Sequence, residues 1–379
     1  MTDTILIMRF ETRAIHAGGE PDEATGAIAP PIHLSTTYER MAGGETPRGY
    51  GYIREANPTQ TRLEAALASI DGGEAALAFA SGVAAGAAIL QSLPRGAHVV
   101  LPSDSYYGFR AMAFDFFEKW GLTYDLVETD DLRSVGRAIR ETTRIVWAES
   151  PSNPLMTIAD LPGIGELTRA HGVLFVVDGT FATPALQRPL ELGADVVLHS
   201  TTKYLGGHSD VQGGSLAFRR RDAFFESVLK TRKVLGAVAS PFNSWLVLRV
   251  IPSLASRMRV HSANAGEVAA FLAAHPSVRV VHYPGLPSHP GHAVAARQMS
   301  GFGGTLSFEI RGSRSDAIAI VERARLFIRA TSLGGVESLI EHRASSEGPG
   351  STTPPSLIRL SVGLEHPQDL IEDLTQAMK

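Results

Sequence analysis

The chain reads as an α/β protein: a large domain on a mostly parallel sheet, followed by a smaller α+β domain. Three observations lead there. Between Gln60 and Phe242 helical stretches alternate with short apolar runs, the order that lays successive strands parallel with helices on the sheet faces. Beyond a long helical segment running through Trp245 and Leu254, three strand-like runs bracket helices instead. With 379 residues, 44% of them hydrophobic, the chain is long enough to build two cores.

Taken in order, residues 1–59 are polar and rich in Gly and Pro without sustained periodicity, which predicts an arm lying against another subunit. The large domain is expected over 60–242. It opens with a helical pattern at 61–70, and Ser81-Gly-Val-Ala-Ala-Gly86 then turns sharply into an alanine-rich helix. The first free N–H groups of that helix can bind a phosphate, although glycine turns before helices are common. Strands are expected at 98–101, 124–127, 144–147, 174–177, 195–198 and 214–218. In the C-terminal domain, 243–379, the strands are 278–282, 305–309 and 357–361. There is no internal repeat, and no GxGxxG opens a helix after a strand, so a dinucleotide fold has no specific support.

Chemistry concentrates at strand ends. The run from Asp195 to Leu198 ends in His-Ser200-Thr-Thr202-Lys203 and glycines. A lysine that condenses with an aldehyde must end a rigid element and be shielded enough to lose its proton, whereas an exposed lysine after a strand has no such role. Ser200 and Thr202 can offer hydroxyls to a phosphate. Upstream, a buried strand ends in Asp178, which either caps the next helix or holds a pyridine nitrogen protonated. Another strand ends in Glu149-Ser-Pro-Ser-Asn153-Pro, where Asn153 can bond a ring hydroxyl.

Composition narrows the field. Net charge is −4, without a basic run or aromatic-basic interleaving, so neither nucleic acid nor a membrane is an expected partner. There is no cysteine, hence no disulfide, thiolate metal site or cysteine nucleophile. The apolar stretch Ile5-Leu-Ile-Met8 is too short for a signal-peptide core, and a cytoplasmic enzyme is expected. The histidines at 282, 289 and 292 fall in a Pro- and Gly-dense segment that reads as a loop, so no metal is expected.

Together these motifs resemble the cysteine and methionine metabolism family of pyridoxal-phosphate enzymes. The resemblance runs from Thr12-Arg-Ala-Ile-His-Ala-Gly and Pro30-Pro-Ile-His-Leu-Ser-Thr-Thr-Tyr38, through Tyr50-Gly-Tyr52-Ile-Arg54, to Arg359-Leu-Ser-Val-Gly-Leu364. It implies the fold type I transferase architecture, with pyridoxal 5'-phosphate carried on Lys203 and Asp178 beneath its ring nitrogen. Ser81, Gly82 and Val83 would hold the phosphate with Ser200 and Thr202, joined by Tyr52 and Arg54 of a neighbouring subunit. The assembly would be a homo-oligomer, at least a dimer and expectedly a tetramer. Tyr107, the tyrosine directly before glycine, would stack on the ring and assist proton transfer, leaving Tyr106 structural. Ser332 and Leu333 would line the substrate side, and Arg359 would clamp an amino-acid carboxylate.

The resemblance implies γ-elimination or γ-replacement on an amino acid with a γ-heteroatom leaving group, of the cystathionine γ-synthase or γ-lyase type. Methionine γ-lyase, O-acylhomoserine sulfhydrylase, cystathionine β-lyase and γ-lyases for other amino acids are the near alternatives, and an aminotransferase the distant one. Three departures bear on substrate. Thr331 stands where several cystathionine-handling members carry an acid; Phe109-Arg110 replaces a small residue and threonine; and residues 341–350 replace the usual Pro-Ala-x-Met-Thr-His segment.

Overall fold

The computed structural model describes residues 8–347 and 353–379. Ile5–Ile7 of the N-terminal apolar stretch and residues 348–350 of the divergent segment lie outside them.

The large sheet has seven strands: β1 (Ala75–Phe79), β2 (His98–Pro102), β3 (Thr123–Val127), β4 (Thr143–Glu149), β5 (Leu174–Asp178), β6 (Val196–His199) and β7 (Gly214–Phe218), ordered β1-β7-β6-β5-β4-β2-β3. The pairings from β3 to β6 are parallel, whereas β7 runs antiparallel to both β6 and β1. Central strands buried on both faces need continuous apolar sequence, and Val146–Ala148, Phe175–Val177 and Val196–Leu198 supply it. The parallel strands all end on one side, and Glu149, Asp178 and the Ser200–Lys203 turn project there.

Sequence reading did not single out β1 as a strand. Its Ala-Ala-Leu-Ala-Phe run lacks β-branched residues, and pairing with β7 decides its conformation. The helix Gly82–Gln91 follows at once, with the Ser81 hydroxyl accepting from Ala84 N at 3.1 Å. A side chain on Gly214 would stand 2.2 Å from the Ser81 carbonyl oxygen, so β7 crosses directly beneath this helix start.

The second sheet is formed by β8 (Val278–His282), β9 (Thr305–Ile310), β10 (Ile328–Arg329), β11 (Leu339–His342) and β12 (Leu357–Ser361), ordered β10-β11-β12-β9-β8. The expected helical segment after residue 240 divides into Pro241–Val250, a short 3-10 turn and Leu254–Ala274. Val247, Leu248, Ile251, Leu254 and Met258 pack into the large-domain core, and the smaller core begins with Ala265. The helix Leu254–Ala274 thus contributes to both cores. The N-terminal segment is also tied to its own chain: Ala14 and Ala17 enter the large core, and Trp245 Nε1 donates to Pro30 O at 2.9 Å. Among the described residues no helix is long and apolar enough to cross a membrane.

Candidate active site

A cavity of about 290 Å³ lies between the C-terminal ends of the parallel strands and the second sheet. Most of the residues singled out in the sequence meet on its wall: Ser81, Gly82 and Val83 from the helix start, and Asn153 after β4. Asp178 at the end of β5 joins them, with Ser200, Thr202 and Lys203 after β6, and Ser332, Leu333 and Arg359 from the second domain.

Lys203 Nζ donates to Ser332 Oγ at 2.6 Å. Burial, then the neighbouring Arg359, pushes its amine down to about 8. Ser332 holds a left-handed backbone at φ 96°, a conformation that costs energy in a non-glycine residue. That backbone turns its carbonyl to Arg359 Nη2 at 3.0 Å while its hydroxyl meets Lys203. Arg359 is 3% exposed. Its Nη1 donates to Asn153 Oδ1 at 2.8 Å, and Glu341, its cross-strand neighbour on β11, pairs with it. Burial lowers the guanidinium to about 10, which leaves it charged at neutral pH.

Asp178 lies opposite Glu149 in the β4–β5 register. Burial raises both carboxyls, Glu149 well above its ordinary range because Asp178 also repels its charge. Thr180 N donates to Asp178 Oδ1 at 3.0 Å, favouring charge there, and Tyr106 N donates to Glu149 Oε2 at 2.6 Å. Gly82 approaches Ser200 so closely that a Cβ would stand 3.0 Å from Ser200 Cβ. The Thr202 hydroxyl is engaged with Gly213, donating to its carbonyl at 3.2 Å.

The tyrosine expectation needs correction. Tyr106 lines the cavity, whereas Tyr107 is 57% exposed and lines only the adjoining outer groove. Gly108 is the reason: a Cβ there would meet Tyr106 Cε1 at 2.7 Å, so the Tyr106 ring folds back over this glycine. Counting from the glycine picks the tyrosine that stands outside the cavity. Phe109 reaches the cavity wall as expected, whereas Arg110 does not. Phe109 packs on buried Trp147 with ring centroids 4.9 Å apart, and Arg110 donates to Ser103 O at 3.0 Å rather than facing the cavity. Tyr52 and Arg54 lie outside this cavity; Arg54 donates to Lys233 O at 2.9 Å and sits over the Tyr52 ring.

Sequence reading missed Glu149, Glu341 and Arg343. Arg343 and Thr331 line both the inner cavity and the outer groove of about 750 Å³. Arg343 Nη1 meets Glu341 Oε1 at 3.3 Å and Nε meets Glu347 Oε1 at 3.1 Å, so an alternating chain Arg359–Glu341–Arg343–Glu347 runs outward from the cavity. Glu149 was visible only as the end of a strand and Glu341 only within the divergent segment, because their value depends on partners distant in sequence. Among the described residues no group of three potential ligands could hold a metal ion.

The chain belongs to the Cys/Met metabolism PLP-dependent enzyme family, whose model matches residues 11–379. It is 49% identical over 373 residues to a cystathionine gamma-synthase of Mycobacterium tuberculosis, covering 97% of this chain and 96% of that protein. A cystathionine beta-lyase of Coxiella burnetii is 43% identical over 382 residues, covering 97% of each. The crystal structure of metB from Corynebacterium glutamicum superposes with a TM-score of 0.96 at 41% identity, covering 99% of this chain and 98% of that one.

The lowered lysine carries a direct prediction. The rate at which the cofactor-free protein captures pyridoxal phosphate at Lys203 should rise through about pH 8 and level off above it. An ordinary lysine would still be climbing toward about pH 10. The check is reductive trapping followed by mass mapping, in which Lys203→Ala should take up no label at that site.

Proposed function

We propose that this family member catalyses γ-replacement or γ-elimination on an amino acid with a γ-heteroatom leaving group, most nearly as a cystathionine γ-synthase. The observation that carries the reading is the Lys203–Ser332–Arg359 arrangement, in which one residue joins a lysine of lowered pKa to a buried arginine. The cavity suits pyridoxal phosphate on its own terms. A ten-residue helix opens toward it with Gly82 and Val83, Ser200 closes the same corner, and a buried acid faces it from β5. The bound cofactor supplies an electron sink for charge left on the substrate carbons.

Each residue then has a task. Arg359, held in plane by Asn153 and Glu341, takes the substrate α-carboxylate in a two-pronged grip. Lys203, freed when the substrate amine takes its place, accepts the Cα proton at Nζ, and the Ser332 hydroxyl steadies the amine. For γ-chemistry a second proton must leave Cβ, within reach of the same flexible stem. Tyr106, not Tyr107, is the tyrosine we assign to the ring and to proton transfer. The relative named as a γ-synthase at 49% identity, against 43% for one named as a β-lyase, favours the γ reading.

The test is product identification by mass. Holoenzyme given O-acylhomoserine and cysteine should form cystathionine. Pyruvate and homocysteine from cystathionine, with no γ-product from any homoserine ester, would make it a β-lyase.

We also infer a shared site, supported by Tyr52 and Arg54 standing at the surface outside their own cavity. Mixing inactive Arg54→Ala chains with inactive Lys203→Ala chains should restore activity, because a mixed assembly holds sites with both groups intact. Lack of recovery after verified subunit exchange would return Arg54 to its own chain.

Thr331 tests side-chain selection. A carboxylate at the junction of cavity and groove would favour a distal ammonium, so Thr331→Glu should raise kcat/KM for cystathionine relative to homoserine esters by about tenfold. An unchanged ratio in a folded, yellow variant would show that position 331 does not read the distal group.

A further inference from the structure

Beneath the large sheet, on the face away from the cavity, lies a buried pair that the reaction above leaves unused. His199 ends β6, Asp71 ends the helix Pro58–Asp71, and each is 1% exposed. His199 Nε2 stands 2.9 Å from Asp71 Oδ1. A carboxylate sealed from water is tolerated when a cation faces it; among the described residues the imidazole is the partner in contact with Asp71, and the buried Arg13 guanidinium acts on it from farther away. Burial alone pushes His199 down, but Asp71, then Asp178, hold it above the ordinary imidazole range.

The ring is placed to act on Asp178. Leu198 pairs with Asp178 across the β5–β6 ladder, which sets His199 alongside Gly179. A Cβ on Gly179 would stand 3.0 Å from His199 Cε1, so glycine lets the ring pack directly under the residue that follows Asp178. His199 Nδ1 is buried there with no well-formed hydrogen bond, while the Gly179 backbone also favours the charged ring. The charges around the group are few. Asp71 and Asp178 act on His199; Glu149 lies beside Asp178; Asp104 and Arg110 act on Glu149 and oppose each other. Two adjoining buried acids cannot both ionise cheaply, and His199 lies nearer in the sheet to one of them.

We propose that His199, clamped by Asp71, is a positioning residue that keeps the negative charge of the Glu149–Asp178 pair on Asp178, where the cofactor's ring nitrogen needs it. The proposal rests on the role assigned to Asp178 above. His199 acts through Asp178 and touches neither cofactor nor substrate.

The experiment measures pyridoxal-phosphate affinity, by equilibrium dialysis and visible absorbance, for wild type, His199→Asn, Asp71→Asn and the double variant. Losing about one pKa unit of support for the Asp178 charge weakens affinity roughly tenfold. Both single variants should show that loss while remaining folded, and their visible band should fade, as pH is raised, at a lower pH than the wild-type band does. The double variant should lose no more than either single change, since the two residues act as one unit. Folded variants that bind within about twofold of wild type would overturn the proposal. If the variants do not fold, nitrogen NMR of histidine-labelled wild-type holoenzyme decides: both His199 nitrogens should stay protonated above the ordinary imidazole range, and a ring that is neutral there overturns the idea. A wild type that binds no cofactor would instead sink the functional reading itself.

Discussion

The site depends on one constraint: two cations share a dry cavity, and only one of them can give up its charge. Lys203 comes from the large sheet and Arg359 from the small one, and Ser332 bonds to both. Burial acts on each, and the outcome differs because they start from different affinities for the proton. The amine falls to about 8, within range of losing its proton in use, whereas the guanidinium falls only to about 10 and stays charged. Glu341, standing directly across the ladder from Arg359, supports the charge of both cations and pairs directly with the guanidinium. The same low dielectric thus suits one side chain to the base we propose and leaves the other charged for the proposed carboxylate clamp.

The strain at Ser332 follows from this constraint. A relaxed backbone could not aim both its hydroxyl and its carbonyl at groups from two sheets, and the left-handed turn does so at a cost the neighbouring packing sustains. Gly334 comes next, where a Cβ would stand 2.6 Å from Tyr204 N, so the loop lies flush against the lysine turn. Domain contact and catalytic geometry are set by the same few residues.

Much of this was legible in the sequence, for identifiable reasons. Strands buried on both faces announce themselves as apolar runs, and Lys203, Asp178 and Asn153 stand out as polar residues that end them. What escaped was relational. The strand Leu339–His342 carries Glu341 and His342 inward, a pattern that looks like no core strand until Arg359 and Ser345 are known to receive them. Tyr106 and Tyr107 are indistinguishable as neighbours, and the choice rests on which ring can fold over Gly108. Nor could the two departures at Phe109 and Arg110 be weighed without seeing that one fills the core beside Trp147 while the other holds a loop carbonyl.

Arg343 shows where divergence from relatives has physical consequence. A side chain that lines both cavity and groove is poised to meet whatever extends beyond the substrate's γ-atom. Its charge is not freely available, because Glu341 and Glu347 flank it, and Glu341 is shared with the clamp. Any group that draws on Arg343 must therefore compete with Glu341, and by loosening that pair it strengthens the hold of Glu341 on Arg359. On the proposed roles, recognition of the leaving group and of the α-carboxylate would be coupled through one carboxylate, so changes in the outer segment are expected to register in the grip on every substrate, including those too short to reach it.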